Sequence, residues 1–284
     1  MPSIEQIASV ISPICYKVDR IITGLSEQKA TAWAKVNSLR HARTIDIISR
    51  YQQERLLPSL KILNASGMAC GHQDFSIVSY LKKELACPVN WKAFDTPNNQ
   101  YITHPLFSNF LKELEIELSL KDFAKCGNPF NNEIDCDVIV FTEIAEHLEH
   151  GTLLKVLCQM RECLVQDGIL ILTTPNLTSI RNRIKMVLGK GDLDYWGDGV
   201  TNYKAAIFGH IVYYDVNRMS RLLEDCGYEI ITRITVSNGD GNGNLSLMRR
   251  VKQNLLSILT AILPNSGDTV LITAKKSHTC KSIP

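Results

Sequence analysis

The sequence has no Cys-x-x-Cys pair, no apolar run near the ~20 residues that span a bilayer, and no large excess of charge of either sign. Each absence removes a class of protein. Nine cysteines form an odd set, and Cys87, Cys158, Cys163 and Cys226 lie inside apolar periodic segments, so they read as reduced, buried thiols of a cytoplasmic chain. A net charge of +2 argues against association driven by phosphate neutralisation, which disfavours nucleic acid as a partner. The N-terminal stretch carries Glu5, Pro13 and Asp19 among its apolar residues, which suits neither a signal nor a transit peptide, and the late apolar run Leu255 to Leu263 is too short for a membrane span. Ten prolines and sixteen glycines in 284 residues, with 45% hydrophobic and 21% charged residues, exclude collagen and a disordered chain.

What is present has a clear rhythm. From Ile4 to about Arg55 the apolar residues recur at helical spacing, as in Ile4, Ile7, Val10 and Ile11, with no alternating pattern. After Leu57-Pro58, a short apolar strand Leu60 to Leu63 runs into Ser66, Gly67 and Gly71 and then into the helical pattern Phe75, Val78, Leu81. Strands follow at Val89 to Phe94, Glu115 to Leu120, Asp137 to Phe141 and Ile169 to Thr173, with helices at Leu106 to Leu114 and Thr152 to Leu164. A helix at Val216 to Cys226, closed by Gly227, precedes strands Tyr228 to Val236 and Thr269 to Ala274, and a further helix is expected over Leu245 to Leu263. Strands alternating with helices predict an α/β fold, a doubly wound, mostly parallel seven-stranded sheet, because parallel strands need crossover connections.

Ligands of such sheets bind beyond the carboxyl ends of the strands, so those positions carry the most functional weight. They are Asn64, Ser66 and Gly67 after the first strand, Asp95 after the second, Asp122 after the third, Thr142 and Glu143 after the fourth, and Thr174, Pro175 and Asn176 after the fifth. Glycine lets the backbone approach a ligand closely, and an acid ending the second strand can accept two hydrogen bonds from a ribose diol. Gly67 and Gly71 also fit a plain strand-to-helix turn, and Asp-Thr-Pro-Asn at Asp95 is itself turn-prone.

Four segments, KILNASGMACGHQDFSIVSYL, DCDVIVFTEIAEHLEH, GILILTTPN and GHIVYYDVNRMSRLLEDCGYEI, together resemble the class I S-adenosylmethionine-dependent methyltransferases over roughly Lys61 to Lys275. Glu-x-x-Glu-His-Leu followed by a Thr-Pro-Asn strand end resembles the branch with small-molecule, sugar and quinone-precursor O-methyltransferases. The resemblance implies a Rossmann-like methyltransferase fold and S-adenosylmethionine held by Asn64, Ser66, Gly67, Gly71, Asp95, Asp122 and Thr142. The chain departs from the family's Asp-x-Gly-x-Gly-x-Gly at its first loop, where Asn64 replaces the acid and can hydrogen-bond an ammonium without the carboxylate charge. Transfer of an activated sulfonium methyl needs water excluded, so a lid is expected, with the helical prefix over residues 1–57 as its candidate beside a catalytic domain over 58–284 that carries substrate-side inserts at 181–210 and 240–265. The lid carries Tyr16, Trp33, Arg40 and His41, with Trp33 expected to pack as core, and the first insert carries Tyr195, Trp196 and Tyr203.

Glu143, Glu146 and His147 stand at i, i+3 and i+4, so a helix opening after the fourth strand would put them on one face. Three readings stay open. Acids in a first helical turn favour the positive end of the dipole, with the histidine merely solvated. An imidazole beside carboxylates can take a proton from an acceptor hydroxyl, making His147, Glu146 and Glu143 catalytic. With His210 the set becomes two carboxylates and two imidazoles, suited to a divalent metal such as Mg or Zn that acidifies a hydroxyl. The resemblance adds that small-RNA 2′-O-methyltransferases and quinone-pathway enzymes use a similar Glu-x-x-Glu-His with a later histidine. Arg181, Arg183, Lys185 and Lys190 read as a solvated helix face or an anion contact. The expected activity is therefore O-methylation of a small-molecule acceptor such as a secondary metabolite or sugar, with an RNA-end ribose methyltransferase or a non-methylating binding or cyclising scaffold as rivals. A homodimer is compatible with everything in the sequence.

Overall fold

The computed structural model describes residues 1–189, 210–237 and 262–277 apart from 86, 124, 132 and 134, together with 258 and 260. Lys190, Tyr195, Trp196 and Tyr203 of the first insert, and most of the expected helix Leu245 to Leu263 with Arg249, Arg250 and Lys252, lie outside these residues. The chain divides into two compact units, Met1–Asp122 with Asp135–Val140, and Phe123–Ile134 with Phe141–Ser237 and the stretch that carries the last strand.

The first unit begins with helix α1 (Ile4–Lys17), started by a capping box in which Ser3 and Gln6 each satisfy the other's backbone N–H. α1 buries Ile7, Ile11 and Cys15 and runs straight into a single π turn, Val18–Ile22. The long helix α2 (Glu27–Glu54) buries Ala30, Ala34, His41, Ile45 and Ile48 at helical spacing. α1, α2 and helix α3 (His72–Lys83) pack on one another, so the helical prefix is built into the same unit as the first strands. Trp33 departs from its expected core position and is 43% exposed, because the buried stripe of α2 passes through its neighbours Ala30, Ala34 and Asn37.

Strand β1 (Leu60–Asn64) lies between β2 (Val89–Asp95) and β4 (Cys136–Thr142) and is parallel to both, with Ile62 opposite Trp91 and Val138. β2 in turn pairs in parallel with β3 (Ile116–Leu120), which helix α4 (Pro105–Glu113) precedes. Near-continuous apolar runs such as Val138-Ile139-Val140 are what a strand covered on both faces requires, and all three residues are fully buried. Phe75 of α3 stacks on Phe110 at 4.6 Å and meets Phe107 edge-on at 5.2 Å, closing the helical side of this core.

In the second unit, helix α5 (His150–Cys163) passes directly into strand β5 (Leu164–Pro175). Helix α6 (Ile180–Val187) and helix α7 (Val216–Asp225) follow, then strands β6 (Tyr228–Val236) and β7 (Thr269–Lys276). Asp215 caps α7 by accepting from the Asn217 and Arg218 N–H groups, and Gly227 leaves the helix end with φ +80°, as the sequence predicted. β7 runs antiparallel to both β5 and β6, with Leu172 opposite Ile272 and Arg233 also opposite Ile272. The seven strands hydrogen-bond in the order β3, β2, β1, β4, β5, β7, β6, so the sheet is mixed.

Gly71 sits at φ +88°, and a Cβ there would lie 2.3 Å from Phe75 Cε2. Phe75 is fully buried between two other rings and has nowhere to go. Gly71→Ala should therefore destabilise the chain by ~2–4 kcal/mol, combining left-handed strain with overpacking; a urea midpoint equal to that of the parent chain would contradict this.

Candidate functional site

In the first unit the strand-end residues form a connected hydrogen-bond chain. Asn64, fully buried at the end of β1, donates through Nδ2 to Asp74 Oδ1 at 2.7 Å and accepts the Ser66 N–H at 2.9 Å. Trp91 of β2 also donates to Asp74 Oδ1, at 2.7 Å. Ser66 Oγ donates to the Val140 carbonyl, which fixes the start of the loop against β4. The loop then folds over the end of β2: the Asp95 carboxylate accepts the Met68 N–H at 2.9 Å, the Thr96 N–H at 2.6 Å and the Asn99 amide at 2.6 Å. Gly67 lies beside that carboxylate, since a Cβ on it would meet Asp95 Oδ1 at 3.8 Å. Burial pushes the Asp95 carboxyl above its usual range, against the pull of the Asn99, Thr96 and Met68 donors. The acid expected to grip a ribose diol thus has its oxygens engaged by its own loop, and Met68 is only 2% exposed. Asp122 is half-buried just past β3, next to Lys121, whose N–H donates to the Asp95 carbonyl.

In the second unit Thr142 is buried at the end of β4, and the backbone turns sharply at Glu143, a non-glycine residue at φ +55°. Such a conformation costs ~1–3 kcal/mol. It is held by two bonds to one residue: the Glu143 N–H donates to the Thr173 carbonyl and Thr173 Oγ1 donates to Glu143 Oε1, both at 2.9 Å. A single 3-10 turn, Ala145–His147, follows in place of the expected α-helix, so Glu143, Glu146 and His147 do not share a helical face. Glu146 is 2% exposed; its Oε2 accepts from Thr174 Oγ1 at 2.9 Å, and its carbonyl accepts the Ile211 and Val212 N–H groups. Those last bonds deliver His210. His147 Nε2 and His210 Nε2 lie 4.0 and 3.9 Å from Glu146 Oε1, and the two rings meet edge-on at 4.9 Å.

Glu146, His147 and His210 bring one ligand atom each within 4.8 Å of one another. Among the described residues, Glu143 does not join that group. The set of one carboxylate and two imidazoles fits zinc or a similar transition ion better than magnesium, which prefers oxygen ligands. The basic stretch is largely structural: Arg183 donates to the carbonyls of Thr178 and Pro264, and Arg181 pairs with Asp268 at 3.4 Å. A cavity of about 750 Å³ opens at the opposite, amino ends of β1 and β2, lined by Lys61, Lys82, Asn90 and Glu115, and no strand-end residue named above reaches it.

No protein-family model matches the sequence, and no curated protein matches it significantly. Solved structures do match the fold. The chain superposes on the methyltransferase domain of the citrinin polyketide synthase with a TM-score of 0.53 and 15% identity over 92% of its length, spanning 60% of that longer chain. It is similar to the cyclase SpnF with a TM-score of 0.52 and 12% identity over 97% of both chains. An S-adenosylmethionine-dependent methyltransferase from Clostridium acetobutylicum gives 0.50 and 12% identity, over 91% of this chain and 96% of that one. This likeness establishes a fold shared with S-adenosylmethionine-dependent methyltransferases.

Asp74, Asn99 and the anchoring role of Thr174 were not foreseen. Asp74 had a readable signal, since it stands three, four and seven residues before the buried Ile77, Val78 and Leu81 and so falls on the inward stripe of α3. Burial, the largest cause, raises its carboxyl to about 7 against the Asn64 and Trp91 hydrogen bonds. A carboxyl raised above its unfolded value lowers folding stability as pH climbs from the unfolded value to the folded one. Asp74→Asn should accordingly gain stability relative to the parent chain between pH 4 and pH 7, by on the order of 2–4 kcal/mol. Denaturation curves whose difference is flat across that window would refute the assignment.

Proposed function

We propose that the chain is an S-adenosylmethionine-dependent methyltransferase that acts on a hydroxyl group of a small molecule. The observation that carries this reading is the buried Glu146 carboxylate, oriented by Thr174 and flanked by His147 and His210 at 3.9–4.0 Å. His147 has the most accessible side chain of the three, 30% exposed against 7% for His210 and 3% for Glu146, and is assigned as the group that removes the acceptor's proton. Glu146, 4.0 Å away, then stabilises the resulting imidazolium. S-adenosylmethionine supplies a sulfonium methyl that is already activated, so the chain's remaining task is to align the oxygen at about 3–3.5 Å and exclude water. A divalent ion on Glu146, His147 and His210 would instead acidify the hydroxyl, with the same residues in a different role.

In the first unit, Asn64, Ser66 and Gly67 are the backbone-approach positions and Asp95 is the diol acceptor. A diol reaching Asp95 competes with the Asn99 amide and loop N–H groups that now engage it. That same occupancy favours a second reading, a non-methylating binding or cyclising scaffold, and the cyclase SpnF is among the solved structures that share this fold. Helices α1 and α2 are assigned as the wall that shields the cofactor side of the first unit.

Calorimetry with S-adenosylmethionine should show saturable binding, and Asp95→Asn should weaken it by roughly tenfold or more. Absence of binding at millimolar ligand would overturn the cofactor assignment. With a panel of small hydroxylated acceptors and a labelled methyl donor, His147→Ala should lower turnover by roughly tenfold or more while leaving cofactor affinity unchanged. Full activity in that variant would remove His147 from the chemistry, and cofactor binding without label transfer to any acceptor would favour the scaffold. Loss of activity with a chelator, restored by zinc, would assign the metal role.

A further inference from the structure

The first unit holds a second group of ligating side chains that the proposed reaction does not use. The π turn after α1 rotates Asp19 inward, where it is only 4% exposed, and its Oδ2 has no hydrogen-bond partner. Asn37 hydrogen-bonds the same carboxylate, so one oxygen is held and the other is left pointing into the protein. Cys70, at the end of the loop after β1, is 7% exposed, and His72 opens α3. Asp19, Cys70 and His72 each place one ligand atom within 4.8 Å of the others.

Behind His72 stands His41 of α2, 1% exposed, with its Nε2 at 2.9 Å from His72 Nδ1. With Nδ1 engaged, Nε2 is the ring nitrogen of His72 left to ligate. Metal-bound histidines commonly use the other nitrogen in this way, which fixes the ring and its tautomer. A thiolate, a carboxylate and an imidazole form a mixed donor set that excludes magnesium and calcium and suits tetrahedral zinc. Arg40 lies close enough to act electrostatically on His72, and two anionic ligands neutralising a divalent ion make that neighbour tolerable.

We propose that Asp19, Cys70 and His72 form a zinc site, with His41 as its positioning residue, that clasps the turn after α1 to the loop after β1. Zinc binding deprotonates the Cys70 thiol and releases that proton to solvent, with no change in oxidation state. Three protein ligands leave one tetrahedral position for water. This site is independent of the methyltransferase reading and of the Glu146 group.

The test uses the full chain, stripped with chelator and titrated with cobalt(II) as a spectroscopic stand-in for zinc. One equivalent should bind with a thiolate-to-cobalt charge-transfer band, and zinc should displace it. Cys70→Ser should abolish the band, Asp19→Asn should weaken binding roughly tenfold, and His41→Gln should weaken it by roughly 10–100-fold without removing the thiolate signature. His210→Asn should leave the band intact, which separates this site from the second unit's cluster. A stripped parent chain that shows no thiolate band, or a band that survives Cys70→Ser, would overturn the proposal. Should Cys70→Ser fail to fold, an unchanged cobalt affinity in Asp19→Asn would do the same.

Discussion

The first unit depends on one buried carboxylate. Asp74 has no solvent exposure, yet it joins the end of β1 to α3 and β2 by accepting from Asn64 and Trp91. Breaking such a group's bonds leaves a desolvated polar atom, which costs more than the bonds themselves contribute. The influence continues outward, because Asn64, once oriented by Asp74, receives the Ser66 N–H and so sets the path of the loop that reaches Asp95. The asparagine at the end of β1 is thus half of an amide-carboxyl pair, and the acid absent from position 64 has a counterpart at position 74.

The second unit solves a similar problem with a different device. A left-handed Glu143 and a single 3-10 turn redirect the chain so that Glu146 is buried, and two consecutive threonines of β5, Thr173 and Thr174, each donate a hydroxyl to one of the two glutamates. Neighbouring carboxylates that would otherwise repel are given separate hydroxyl donors. The carbonyl of Glu146 then recruits the segment that follows His210, so one residue both anchors the backbone and supplies the charge.

Most of the architecture was legible in the sequence because it rests on apolar periodicity. The strands around Leu60, Val89, Asp137 and Ile169 and the helix closed by Gly227 are where pattern and turn chemistry place them. The site was legible in composition but less so in geometry. Glu146, His147 and His210 do come together, whereas the helix meant to align Glu143 with them is replaced by a strained turn set by contacts to β5 that no local pattern encodes. Trp33, expected in the core as a large aromatic, is exposed because its phase on α2 falls outside the stripe of Ala30, Ala34 and Asn37. Arg183, on the stretch that reads as a solvated face or an anion contact, instead donates to the nearby Thr178 carbonyl and to the distant Pro264 carbonyl, and the second partner is beyond any local pattern.

The self-engaged carboxylate of Asp95 also has a kinetic meaning. When an acceptor is already engaged by its own loop, an incoming polyol competes for it with Asn99 and the Met68 amide. On the proposed reading, association would include a unimolecular opening step, so its observed rate would level off as ligand concentration rises, and discrimination would reside in how well the newcomer reproduces the donors it evicts.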